Sequence, residues 1–271
     1  MNLGNACLMI AKFLLTAGLS FASVYVVLHT RPFTASGHPQ PSFKQRSDTQ
    51  RLLLIGNSRT YYHDMPSLLA KIAESSDGSA RFAITLRAWG GASLEKNWRD
   101  NQTQHLLTQK WDGVIIQAES RAQSGQEYQQ SFFRGAADFS NAAKRAQNKA
   151  SFIVNYVYDR KLYRENPEVS RRIHYDAIER DFSALKKRYD ADLIPVAEAW
   201  EILLLRQPQF ALYEDGNHPT LHGSFFQALI IFAHVTHSDA ATVTYHPGEI
   251  RQNDFELMKS VIKDMADRSS I

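Results

Sequence analysis

The stretch 51–60, Arg-Leu-Leu-Leu-Ile-Gly-Asn-Ser-Arg-Thr, limits what this chain can become more than any other. Leu52, Leu53, Leu54 and Ile55 run without a polar break into Gly56, and Ser58 follows two residues later. A strand that is apolar on both faces belongs in a parallel sheet covered on both sides by helices. Helical spacing then begins, with Met65, Leu68, Leu69 and Ile72 at steps of three and four. The stretch reads as strand, tight turn and helix, the free N–H groups of the helix pointing back at Ser58. An exposed serine hydroxyl is thereby expected at the carboxyl end of a strand, where open α/β sheets place their chemistry. Ser58 reads equally well as a plain helix cap. This stretch alone does not choose between cap and nucleophile.

The rest of the body repeats the alternation. Strand character recurs at 81–87, 112–117, 151–157 and 191–196. Helical patterns occupy about 128–148, 170–189, 197–205 and 220–234, with a closing helix over 253–268. Strands alternating with helices at this spacing predict βαβ units, a parallel sheet and helices on both faces. The 271 residues suffice for one such domain, over 51–271, with an appendage before it.

That appendage has two parts. Residues 6–28 are apolar except for Lys12, long enough to cross a bilayer, so 1–29 reads as a signal peptide or transmembrane anchor. No Ala-x-Ala-like exit follows, which favours the anchor. Residues 30–50 are polar, carry Pro32, Pro39 and Pro41, and read as a linker. The expectation is a membrane-anchored or secreted protein with its domain outside the cytoplasm. Cys7 is the single cysteine, so no internal disulfide forms. A net charge of +3 without a Lys/Arg run gives no reason to expect nucleic acid.

The second informative stretch is Asp215-Gly216-Asn217-His218-Pro219-Thr220, a polar loop ahead of a strongly apolar helix. A nucleophilic serine needs a base within hydrogen-bond reach, and that base needs an acid to orient it. Asp-x-x-His on one loop supplies both; its plain reading is a turn cap beside a surface histidine. Of the other histidines, only His234 and His237 are close in sequence, and they read as helix-end residues rather than metal ligands. Asp64 reads as a helix cap. Tyr61, Tyr62 and His63 either line an acyl pocket or pack under the first helix. Arg121 either meets an anionic substrate or pairs with Glu119.

Gly56-Asn57-Ser58-Arg59-Thr60 resembles the first block of the SGNH (GDSL-like) hydrolases in its Gly-Asn-Ser form, and Asp215-Gly216-Asn217-His218-Pro219 resembles their last. Gly91, before Ala92-Ser93-Leu94, resembles the second block, whose glycine N–H joins the oxyanion hole. The resemblance spans roughly 51–237. It implies a three-layer α/β/α sandwich with a five-stranded, flavodoxin-like parallel sheet, ester-cleaving activity and no metal or cofactor. It implies catalytic roles for Ser58, Asp215 and His218, and oxyanion or substrate contacts for Gly91 and Asn57. The third block departs. Where the family has Gly-x-Asn-Asp, this chain reads Gln117-Ala118-Glu119-Ser120. Gln117 offers the same amide donor on a longer arm and is the candidate for the missing asparagine, with Ser120 second.

The expected substrate is a small-molecule or saccharide acyl ester, such as an acetylated carbohydrate. The same groups serve an O-acyltransferase passing the acyl group to a sugar hydroxyl. A non-catalytic, carbohydrate-binding module of the envelope is the third reading, favoured by the missing asparagine.

Overall fold

The computed structural model describes residues 49–77 and 80–269. The expected anchor and most of the linker lie outside the described residues. Among those described, no helix is long and apolar enough to cross a membrane.

Five strands form one all-parallel sheet: β1 Thr49–Gly56, β2 Arg81–Ala88, β3 Gly113–Gln117, β4 Ala150–Ile153 and β5 Asp192–Ile194. Their spatial order is β2-β1-β3-β4-β5. Nine α-helices are described: α1 Ser58–Tyr61, α2 Met65–Glu74, α3 Leu94–Trp98, α4 Asn101–Leu107, α5 Gln126–Arg145, α6 Pro167–Tyr189, α7 Val196–Arg206, α8 Leu221–Thr236 and α9 Gln252–Ser269.

Residue alternation along β1 builds the layers. Leu52 and Leu54 join a core with side chains of α2, α7, α8 and α9, while Leu53 and Ile55 join a second core with α3, α4, α5 and α6. Successive strand side chains point to opposite faces, so an unbroken apolar strand feeds both cores at once. The result is the three-layer α/β/α sandwich. α8 is buried at every residue from Gly223 to Phe232, which explains an apolar pattern that runs all the way round it.

Three local expectations change. The helix carrying Met65 to Ile72 does not start at the serine: Ser58 opens the four-residue α1, and His63 and Asp64 take left-handed φ values of 50° and 51° before α2 begins. Asp64 sits at the start of α2 but makes no side-chain cap bond. β4 stops at Ile153, four residues short of the apolar run, because its partner β5 ends at Ile194: the Val154 N–H makes the last ladder bond to the Ile194 carbonyl, and the Val154 carbonyl accepts from Ala197, already in α7. Two short helices fill the segment between β2 and β3. Ser93 and Asp100 start them, accepting from the N–H groups of Lys96 and Thr103.

The strand order reverses between β1 and β3, since β1 is followed in the chain by a neighbour on one side and then by β3 on the other. A crevice opens at the carboxyl ends of strands at such a switch point. Ser58 follows β1 there, and residues 118–121 follow β3.

Candidate active site

Asn57 settles what Ser58 does in its turn. The Asn57 side chain accepts from the Arg59 N–H at 3.1 Å, and its own N–H meets Thr60 Oγ1 at 3.3 Å, a reciprocal cap at the start of α1. Asn57 holds the capping position, and the Ser58 hydroxyl points elsewhere. Ser58 Oγ lies 2.9 Å from His218 Nε2. The serine is more enclosed than the sequence suggests, 9% exposed.

The amide of Asn57 has a second task. Its Nδ2 donates to the Ala118 carbonyl at 2.9 Å and to the Ala92 carbonyl at 3.4 Å. One buried side chain thus ties the Ser58 turn to the segments after β2 and β3, and its amide is fully engaged with protein.

His218 is held by its own loop. Asp215 Oδ2 faces His218 Nδ1 at 2.7 Å, while Asp215 Oδ1 accepts from the N–H groups of Asn217 at 2.8 Å and His218 at 2.7 Å. Burial works to raise the Asp215 carboxyl, but the His218 N–H, the imidazole and the Asn217 N–H outweigh it and hold it well below the usual carboxylate range. The loop closes on itself where Glu214 N–H meets the His218 carbonyl at 2.9 Å and Thr220 N–H meets that of Leu212 at 3.0 Å. Thr220 then caps α8 through the Gly223 N–H, with Pro219 two residues ahead of the first helical residue. Ser58, His218 and Asp215 therefore form a continuous hydrogen-bonded chain. The serine and the histidine come from segments 160 positions apart in the chain.

Gly91 lies at the exposed turn after β2 with φ +63°, a left-handed conformation that glycine adopts without strain. Gln117 is placed differently. It is fully buried, its amide oxygen accepts the Thr60 hydroxyl at 2.5 Å, and its Nε2 has no partner. Ser120 receives the Tyr158 hydroxyl at 3.1 Å. Glu119 is buried, which pushes its carboxyl up, with Arg121 at 3.4 Å offsetting this in part.

Several contacts carried no signal in the sequence. The Tyr62 ring stacks on the His218 imidazole, centroids 4.3 Å apart and planes 7° from parallel. Burial and the nearby Asp215 carboxylate push its phenol up, so the stacked ring is neutral. His63 meets Glu214 at 3.0 Å on the rim. Arg59, beside the serine, is buried and bonded to Asn217 and Tyr156. Only pairing between segments 97 to 158 residues apart makes these visible. Among the described residues, no group of three or more His, Cys, Asp or Glu side chains is placed to hold a metal ion.

No protein-family model and no curated protein matches the sequence. Solved structures do match. A DUF4886 family protein from Bacteroides uniformis superposes with a TM-score of 0.66 at 17% identity, over 81% of this chain and 95% of that one. A protein from Slackia heliotrinireducens described as a candidate SGNH hydrolase gives 0.57 at 24% identity, over 69% of this chain and 98% of that one. The fold is SGNH-like. A catalytic mutant of Axe2, an acetylxylan esterase from Geobacillus stearothermophilus, shares that SGNH-like fold with a TM-score of 0.54 at 12% identity, over 73% of this chain and 97% of that one.

Proposed function

We propose that this chain is a serine esterase of the SGNH type that cleaves O-acyl esters, with acetylated carbohydrate as the favoured substrate class. The observation that carries the reading is the hydrogen-bonded chain from Ser58 Oγ through His218 to Asp215, at 2.9 and 2.7 Å. The SGNH-like fold supports it, and a neighbour described as an acetylxylan esterase supports the substrate class.

In this reading Ser58 Oγ attacks the acyl carbonyl carbon while His218 Nε2 takes its proton. Asp215, ionised throughout the working range, accepts from Nδ1 and steadies the imidazolium. The backbone N–H groups of Ser58 and Gly91 hold the oxyanion. Gln117 stands where the third block has its amide donor; sealed from solvent, its amide oxygen holds Thr60 and so the nucleophile turn. The alcohol leaves with the proton from His218. Water, activated by the same imidazole, then releases the acid and restores Ser58. The apolar segment 6–28 supports placing the enzyme at a membrane, with its domain outside the cytoplasm.

The test is hydrolysis of 4-nitrophenyl acetate and of acetylated xylo-oligosaccharide by wild type and Ser58→Ala. We expect release of acetate by wild type and a loss of roughly a thousandfold or more in the variant. Equal hydrolysis by the two would overturn the reading. With a sugar acceptor present, a new ester formed faster than free acid would reassign the reaction to acyl transfer.

A further inference from the structure

We propose that Arg59 is a positioning residue of this site, one that sets the register of His218 against Ser58 by gripping Asn217. The inference rests on the esterase reading only for its kinetic arm.

Ser58 and His218 lie 160 positions apart and must meet within hydrogen-bond distance. The bonds inside the loop 212–220 fix its shape, but none of them fixes where it sits relative to the nucleophile turn. Four contacts join the two segments: the Ser58–His218 bond itself, the Tyr62–His218 stack, the His63–Glu214 pair and the Arg59–Asn217 grip. The His63–Glu214 pair is solvent-exposed, its side chains 33% and 55% accessible, and screening leaves it little force. The Arg59 grip is 1% exposed at its arginine and lies one residue from each of Ser58 and His218.

Its geometry is that of a clamp. Arg59 Nε reaches the Asn217 carbonyl at 3.1 Å and Asn217 Oδ1 at 3.2 Å, and Nη2 reaches the same Oδ1 at 2.9 Å. Nη1 donates to the Tyr156 carbonyl at 2.7 Å. The guanidinium lies over the Tyr156 ring at 4.0 Å, and that ring stacks on Trp200 at 4.1 Å with planes 2° apart. The Tyr156 hydroxyl donates to the Asn217 carbonyl at 3.3 Å, so ring and guanidinium converge on one residue. The Arg59 backbone is pinned as well, its N–H by Asn57 and its carbonyl by Gln227 Nε2.

Among the described residues, no carboxylate pairs with this buried cation. Burying a charge without a counter-ion is unfavourable; here each of the three guanidinium nitrogens donates a hydrogen bond and a ring face receives the charge. A planar fork with fixed donors can lock the Asn217 amide in one orientation; a lysine, a single point charge on a flexible stem, cannot. A displacement of the base by about 1 Å can cost on the order of a hundredfold in rate. Arg59 thus acts through Asn217 on His218, without touching substrate.

The experiment compares wild type, Arg59→Lys, Asn217→Ala and the double variant by ester kinetics, melting temperature and proton NMR. We expect Arg59→Lys and Asn217→Ala each to lower kcat roughly 30- to 100-fold with KM within twofold, and the double variant to lose no more than either single. Methylguanidinium should restore part of the kcat of Arg59→Ala, because it refills the same cradle. The far-downfield His218 Nδ1–H resonance, assigned by its loss in Asp215→Ala, should sharpen in wild type and broaden in both single variants. That arm reads the base directly and stands even where wild type hydrolyses no ester, an outcome that would count against the esterase reading alone. An unchanged resonance with kcat within twofold of wild type, or losses that multiply in the double variant, would overturn the proposal. If Arg59→Lys does not fold, Asn217→Ala measures the same link from its other side.

Discussion

A serine that opens a helix has two competing partners for its oxygen, the N–H groups of that helix and whatever side chain lies across the turn. Here Asn57 satisfies the helix, so Ser58 is left to His218. The sequence contained both residues but did not show which of them caps. His174 illustrates a burial effect at the same scale. Burial, reinforced by the charges of Arg59 and Arg171, pushes it down to about 4. Its folded value lies below the roughly 6.5 of an unfolded histidine, so between those limits the unfolded chain binds more protons. We expect stability to be undiminished above about pH 6.5 and to fall by on the order of 3 kcal/mol as pH drops to about 4. Urea unfolding across that range checks it, and the slope should vanish in His174→Gln. Ser58, Asp215 and His218, which share one hydrogen-bonded chain, could be picked out because each sits at a fixed offset from a strand end or a turn. The contacts of Arg59, Tyr62 and Asn217 could not, because their partners lie far away in sequence. Gln117 was read as the amide donor standing in for the third-block asparagine, and its fully buried bond to Thr60 is a packing fact that no local pattern carries.

At the scale of elements, the strands and long helices were written in the hydrophobic periods, and β1 with its two-faced apolar run was the clearest. Short elements were harder to see. α3 and α4 have too few turns to display a period, and their starts rest on the single caps Ser93 and Asp100. α3 nonetheless follows the Gly91 turn directly, and its seat against α5 depends on Gly135. A Cβ at Gly135 would lie 2.4 Å from Leu94 Cβ and 2.9 Å from the Glu95 backbone nitrogen. Alanine favours an exposed helix over glycine by about 1 kcal/mol, yet overpacking a buried contact costs roughly 1–3 kcal/mol. Because backbone atoms form the obstacle, the second effect should win. We expect Gly135→Ala to lower the unfolding free energy by about 1–2 kcal/mol in urea denaturation; a rise in stability would mean that α3 gives way freely.

For the whole molecule, an all-parallel sheet in the order β2-β1-β3-β4-β5 explains why residues from both ends of the chain meet. The carboxyl ends of β1 and β3, on either side of the reversal, carry the serine turn and the segment 118–121. α8, buried from Gly223 to Phe232 within its helical layer, follows the Asp215–His218 loop and holds it at the same rim. The chain enters β1 at the opposite edge of the sheet, roughly 25 Å away along an eight-residue strand. Architecture was legible from alternation alone; the loops that shape a substrate pocket were not, since their conformations depend on contacts between distant elements. The most direct measurement is reaction of the 49–271 fragment with a fluorophosphonate probe, the modified residue located by mass spectrometry in wild type and His218→Ala. We expect labelling at Ser58 in wild type and at least a hundredfold slower labelling without the imidazole. A folded fragment that stays unlabelled, or that labels equally fast in both, would contradict an activated serine at this site.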